Sequence, residues 1–184
     1  MKWYRVNEID RRSAAIALVV LAGASCAGPP TRPQVAEATS GSDVDAKLAL
    51  VANIHGGAGP WAVAGFRMGE FALRALGLPR GSFDVEVVHY TPHEVQYSCI
   101  ADGAAAATGA SLGKLNLNLV DAAAAQTHTI YRRRSTGQSI DVRFTAAFAA
   151  RYRGVPSGHL AEAGREVMGL RYEDIFEVEP HAHP

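Results

Sequence analysis

The stretch that decides the fold is Glu94–Leu119, EVQYSCIADGAAAATGASLGKLNLNL. Ser98 follows an apolar run and is suited to cap a helix, because its hydroxyl can accept from a free backbone N–H in the first turn. The alanines at 104–107 are small and favour a helix. Gly109 is typical of a helix end. The stretch therefore predicts a short, smooth-sided helix that packs closely on a sheet.

A cysteine and an aspartate lie at the start of this predicted helix. Cys99 would occupy the first helical position, where the field of the helix favours a thiolate. Asp102 would lie in the first turn, where a negative charge suits the helix dipole. The alternative is that Cys99 is a small buried hydrophobic residue, as most free cysteines are. The residue types alone leave both interpretations open.

A strand is predicted directly after the helix. Gly113-Lys114 forms a tight turn, and Leu115, Leu117 and Leu119 then alternate with two asparagines, which indicates one wet face. Elsewhere, apolar spacing and turn residues predict helices at 44–53, 60–76, 146–152 and 159–168, a strand at 83–90, a hairpin of 127–134 with 139–144, and a closing segment at 172–179.

The amino-acid composition indicates which broad class of protein this is. The chain has 184 residues, with 18 Lys+Arg and 18 Asp+Glu, so its formal net charge is zero. A nucleic-acid partner would need a basic face, so nucleic acid is not expected as a partner. A hydrophobic content of 48% with 20% charged residues is ordinary for one soluble globular domain.

The N-terminus has the pattern of an export signal. Basic residues precede an apolar run at 14–24, which is too short to span a bilayer comfortably. Small residues before Cys26 favour lipidation there, as in a bacterial lipoprotein, over simple cleavage; an uncleaved anchor or a misassigned start codon is the alternative. We therefore expect an exported protein, periplasmic or tethered, whose membrane contact is a lipid anchor only. The predicted map is a signal peptide at 1–27, a flexible linker at 28–42, a domain at 43–180 and a disordered tail at 181–184.

A glycine loop, His55-Gly56-Gly57-Ala58-Gly59, precedes a proline at the start of the predicted helix 60–76. The three glycines carry no side-chain bulk, so a ligand or metal can approach the backbone, with His55 at the rim. A plain loop with a capping histidine is the alternative. Lys114 could hold an anion or a carboxylate, or it could be a solvated turn residue. The segment around it lacks the spacing of a nucleotide-binding loop.

Two motifs together resemble the FmdE family, which is named after a formylmethanofuran dehydrogenase component. The family's His-Gly-His-x-Cys-Pro-Gly corresponds to the glycine loop here, and its Cys-x-x-Asp motif corresponds to Cys99-Ile100-Ala101-Asp102, followed by Thr-Gly and Gly-Lys. This resemblance implies a single α+β domain with a mixed or antiparallel sheet packed with helices. It also implies a metal site, with zinc or another divalent ion held by His55, Cys99 and Asp102. Gly57, Gly59 and Ala110 stand where the family has donors, so His55 and Cys99 would need His89, His93 or Asp102 to complete the set.

Three functions remain open from the sequence. The first is binding of a metal or small ligand at a cleft where His55 and Cys99 meet, with Gly56, Gly57, Gly59, Asp102 and Lys114 as further contacts. The second is a thiol-dependent enzyme in which Cys99 is the nucleophile and His55 the base. The third is a degenerate binding or scaffold module. Whether the protein is an enzyme, its ligand and its oligomeric state are not specified by the sequence.

Overall fold

The computed structural model describes residues 41–179 of the chain. The helices of that range are α1 (Gly41–His55), α2 (Pro60–Leu76), α3 (Val95–Thr108), α4 (Ala146–Tyr152), α5 (Leu160–Gly169) and α6 (Tyr172–Ile175). The strands are β1 (Val85–Thr91), β2 (Leu117–Asp121), β3 (His128–Arg133), β4 (Ser139–Phe144) and β5 (Phe176–Glu179). Short 3-10 turns lie at Leu112–Lys114, Ala124–Gln126 and Ser157–His159.

The five strands form one mixed sheet in the order β2-β1-β3-β4-β5. Strand β2 is parallel to β1, and the other neighbours are antiparallel. At the centre, Val87 pairs with Leu117 on one side and with Tyr131 on the other. The predicted α+β class and the predicted hairpin, here β3 with β4, are therefore confirmed.

Helix α2 is the central helix of the core. It starts at Pro60 and ends at Gly77, whose left-handed φ of 63° and backbone N–H bonds close the last turn. Trp61 lies in its first turn and makes edge-to-face contacts with Tyr97, Phe144 and Phe148 at 5.1–5.3 Å between ring centroids. The sequence prediction of this helix is confirmed at both ends, because local capping residues specify them.

Helices α2 and α3 approach each other closely enough for backbone contact. A Cβ atom on Gly65 would lie 2.1 Å from the carbonyl oxygen of Ile100, and one on Gly103 would lie 1.8 Å from that of Ala62. Real Cβ atoms essentially never come that close to other atoms, so only glycine fits at both positions. The smooth-sided helix was expected to pack on a sheet, but it packs mainly on helix α2, because the glycines let the two backbones meet.

Strand β2 differs from its prediction. It begins at Leu117 rather than Leu115, which has a left-handed φ of 53° and is 78% exposed. Asn116, expected on the wet face, is fully buried: its Nδ2 donates to the Val85 carbonyl, and its Oδ1 accepts from the backbone N–H of Ser111. The predicted alternation was wrong here because a buried asparagine satisfies backbone groups of two neighbouring segments.

His89, expected as a candidate metal ligand, is instead a buried structural residue of β1. Its Nε2–H donates to the Tyr97 carbonyl at 3.1 Å, so its Nδ1 accepts from the Thr129 hydroxyl at 2.8 Å. Both ring nitrogens are thereby used, and the residue joins β1 to β3 and to the first turn of α3. Burial lowers the pKa of His89 from 6.5 to about 4, because desolvation disfavours the imidazolium.

This buried histidine predicts acid sensitivity. Below pH 6.5 the unfolded chain binds a proton at His89 that the folded chain does not bind until about pH 4. The free energy of unfolding should therefore fall between pH 6.5 and pH 4, by about 2 kcal/mol at pH 5. Urea unfolding at pH 7 and pH 5 of the natural chain and of His89→Gln measures the contribution. The drop on acidification should be about 2 kcal/mol smaller in the variant; equal drops would contradict the assignment.

Several predictions fall on the ends of the chain. The predicted signal peptide, the lipidation site Cys26, most of the linker and the tail at 181–184 lie outside the described residues. Helix α1 begins at Gly41, within the last two residues of the predicted linker. Along residues 41–179, no helix has both the length and the apolar character needed to cross a membrane.

Candidate functional site

A cleft of about 540 Å³ opens where the glycine loop, the start of α3 and the segment between α4 and α5 meet. Volumes of about 300–1,000 Å³ are typical of small-molecule sites. Both residues that the sequence predicted to meet, His55 and Cys99, line it. The other lining residues are Gly56, Gly57, Ala58, Gly59, Pro60, Trp61, Ala62, Val95, Gln96, Tyr152, Gly154, Val155, Ser157, Leu160 and Ala161.

The glycine loop forms the rim of the cleft between α1 and α2. Gly56 has a φ of 84° and donates its N–H to the Ala52 carbonyl, which ends α1 directly after His55. Among the described residues, the backbone N–H groups of Gly57 and Ala58 have no hydrogen-bond partner. Helix α5 holds the loop from behind, because a Cβ on Gly164 would lie 1.8 Å from the Ala58 carbonyl oxygen. The loop is therefore held against α5, and two backbone donors of this lining segment are without a partner among the described residues.

His55 and Asp102 form a hydrogen-bonded pair at the rim. His55 Nδ1 lies 2.8 Å from Asp102 Oδ2, and the two side chains are 24% and 46% exposed. An ionised carboxylate only accepts, so Nδ1 carries the proton and donates it to the bond. In the neutral ring, Nε2 is then the nitrogen with a free lone pair. Asp102 does not line the cleft itself but orients a residue that does.

Cys99 is placed differently from its prediction. Helix α3 starts at Val95 with Glu94 at its N-cap, so Cys99 lies in the second turn, and Ser98 donates its hydroxyl to the Val95 carbonyl instead of capping. Burial and then the negative charge of Asp102 raise the pKa of the Cys99 thiol from 9.0 to about 11. The predicted helix start at Ser98 and the expected lowering of the thiol pKa were therefore wrong. Tyr97 explains the earlier start, because its ring must reach Trp61 and Phe144 in the core.

The structure does not bring two other predicted residues to the cleft. Lys114 lies near the far end of α3, where its Nζ donates to the carbonyls of Gly109 and Gly81 at 2.9 and 3.2 Å. His93 has a side chain that is 92% exposed and lies 3.8 Å from Asp121 beside β2. His89 or His93 was expected to complete a metal site. Both ring nitrogens of His89 already make hydrogen bonds. Neither histidine lines the cleft.

The part of the cleft wall formed by residues 155–160 was missed in the sequence. Val155 and Ser157 come from the segment between α4 and α5, and Leu160 is the first residue of α5, about a hundred residues after the loop. Trp61 ties this segment to α2, because its Nε1–H donates to the Tyr152 carbonyl at 3.1 Å. The only local signal in the sequence is the glycine-rich turn around Gly154, which indicates a loop but not the segment that the loop contacts.

The donors at the cleft do not fit a zinc ion. Zinc in proteins normally has three or four protein ligands. Within residues 41–179, no three His, Cys, Asp or Glu side chains are grouped so that they could hold a metal ion. Asp102 is bonded to His55 Nδ1, the place of an orienting carboxylate rather than of a ligand. The remaining donors are His55 and a protonated Cys99, and two protein ligands are fewer than zinc normally has.

A model of a known protein family matches most of the chain. The family model described as "FmdE, Molybdenum formylmethanofuran dehydrogenase operon" matches residues 54–177. The chain belongs to the FmdE family. The match runs from the end of α1 into β5 and so includes the glycine loop, α3 and strands β1 to β4, which confirms the resemblance inferred from the two motifs. No curated protein matches this FmdE chain.

Proposed function

We propose that this FmdE domain binds a small, uncharged organic molecule in the cleft beside His55. The observation that carries the proposal is the combination of a 540 Å³ cleft with one oriented imidazole at its rim. Pockets for small molecules are mostly apolar, with a few polar groups that fix the orientation of the ligand. Here Trp61, Val95 and Leu160 supply apolar walls, while the loop N–H groups and His55 supply the polar contacts.

Charge narrows the class of ligand. The described residues that line the cleft include no Asp, Glu, Lys or Arg. A phosphate normally binds with Arg or Lys among its partners. Asp102, which is hydrogen-bonded to the lining residue His55, carries a negative charge. These features support an uncharged ligand over a nucleotide or a sugar phosphate.

A metal-binding role and a thiol-dependent reaction have weaker support at this cleft. The metal interpretation needs ligands from outside residues 41–179, and the thiol interpretation needs a cysteine more acidic than burial allows Cys99 to be. Export and lipidation at Cys26 remain part of the proposal on the N-terminal sequence alone. The protein would then present this cleft in the cell envelope, with the family fold as a binding module.

A cleft-filling variant tests the proposal. A Cβ on Gly59 would lie 3.9 Å from the Leu160 side chain, an ordinary contact, and the rest of the side chain in Gly59→Leu should occupy space in the cleft that Gly59 lines. Saturation-transfer NMR with indole and phenol as probes should show contact with the natural chain and at least a tenfold loss of affinity in this variant. Gly113→Leu is the matched control, because a Cβ there meets nothing within 4 Å and Gly113 does not line the cleft. Equal binding by all three proteins, or by none, would count against the cleft.

A further inference from the structure

We propose that His55 acts in this cleft as a metal-free hydrogen-bond acceptor whose tautomer is fixed by Asp102, and that the ligand therefore carries an O–H or N–H donor. The inference rests on the proposed function, since it names the chemistry that the same cleft selects. Asp102 is in this view a positioning residue: it contacts His55 and not the ligand.

The contact with Asp102 decides which ring nitrogen of His55 carries the proton. The 2.8 Å contact joins Nδ1 to a carboxylate oxygen, which has no proton to give when ionised. The N–H is therefore on Nδ1. Nδ1 is used by Asp102, and Nε2 has no hydrogen-bond partner among the described residues, so Nε2 is the ring nitrogen that His55 has left for a ligand in the cleft that it lines. Nε2 offers a lone pair.

In the described lining of the cleft, no charged acceptor competes with His55. Among the described residues of the lining, the other side chains with polar atoms are Trp61, Gln96, Tyr152, Ser157 and Cys99, none of them ionic; the Trp61 Nε1–H is already bonded to the Tyr152 carbonyl. The backbone N–H groups of Gly57 and Ala58 are donors and so suit an acceptor atom of the ligand. The cleft thus presents donors on the loop and one oriented acceptor on His55. A molecule with a carbonyl or ether oxygen and a nearby N–H or O–H matches both.

The set of donors at the cleft distinguishes a hydrogen-bonding role of His55 from metal ligation. A histidine whose Nδ1–H is held by a carboxylate is also the usual geometry of a metal ligand. At this site the further ligands are missing, because the described residues contain no third His, Cys, Asp or Glu at suitable positions. The free Nε2 is thereby left to the ligand itself. The same arrangement that orients a histidine for a metal in other proteins here orients it for a hydrogen bond.

The experiment combines a spectroscopic and a binding measurement on the purified protein. Nitrogen-15 NMR of the His55 ring should show a protonated Nδ1 and an unprotonated Nε2 at pH 8. Asp102→Ala should shift the ring toward the Nε2–H tautomer while the fold, followed by circular dichroism, is kept. Elemental analysis should find less than about one zinc per ten chains. A protonated Nε2 in the natural chain, or near-stoichiometric zinc that His55→Ala removes, would overturn the proposal.

The binding arm uses two probes of one shape. Indole carries an N–H donor, and benzofuran has an oxygen in its place. We expect indole to bind at least about tenfold more tightly than benzofuran, because only indole can donate a hydrogen bond to Nε2. Asp102→Ala should reduce that ratio toward one. Equal affinities in the natural chain would overturn the donor requirement. If neither probe binds, the proposed small-molecule function fails for this class, and the tautomer measurement still decides the role of Asp102.

Discussion

Replacing Gly103 with alanine is expected to destabilise the domain by about 3 kcal/mol or more. The added Cβ would lie 1.8 Å from the carbonyl oxygen of Ala62, and the first turn of α2 is held by the core on its other side. The two helices must separate to admit a methyl group, and the packing of Trp61 on Tyr97 would be lost with them. Urea unfolding, or the temperature of unfolding followed by circular dichroism, measures the effect.

Gly169→Ala is the matched control for this change. Gly169 is also helical, and a Cβ there meets nothing within 4 Å. Its replacement should leave the stability unchanged or raise it slightly, since alanine is the better helix former. A Gly103→Ala protein as stable as the Gly169→Ala protein would show that α2 and α3 are not in backbone contact.

The thiol of Cys99 is expected to react at least about a hundredfold more slowly in the folded domain than in the unfolded chain. A pKa raised from 9.0 to about 11 lowers the thiolate fraction near neutral pH by about a factor of a hundred, and the thiolate is the reactive form. Burial at 9% exposure slows access further. Alkylation with iodoacetamide at pH 8, in a Cys26→Ser background and with and without guanidinium, gives the ratio.

The pH dependence of that rate distinguishes an inert cysteine from a catalytic one. In the folded domain the rate should still be rising above pH 10. Asp102→Asn should move the curve to lower pH by only part of the shift, because burial is the larger cause and the aspartate charge the smaller. A rate that is half-maximal below about pH 8.5 would instead indicate an activated thiol and would restore the enzyme hypothesis.

Local signals in the sequence were enough for most of the architecture. Pro60 and Gly77 specify both ends of α2, and the turn at Gly137 lies between two β-rich runs that form the hairpin of β3 and β4. The mixed sheet followed from the family resemblance, since nothing local indicates that β2 is parallel to β1. The glycine loop and Cys99 also line one cleft, as the two motifs led us to expect.

The remaining features depend on contacts that are distant in sequence. The start of α3 is set by the fit of Tyr97 between Trp61 and Phe144, which no capping pattern reveals. The pKa of Cys99 follows from burial, which overrides the helix dipole once the residue lies in the second turn. Val155 and Leu160 close the cleft from a part of the chain with no distinctive motif. Pairing of His55 with Asp102 needed the observed packing of α1 on α3.

The two sides of the cleft differ in how closely their backbone is packed. Asp102 lies next to Gly103, whose backbone contacts α2, and the loop carbonyl of Ala58 contacts Gly164, whereas residues 155–158 form a surface turn between two helices. Related proteins, or a designer, can therefore exchange that turn to accept molecules of other shapes while the imidazole stays in register. Diversity of recognition in such a domain should accumulate on one side of its pocket.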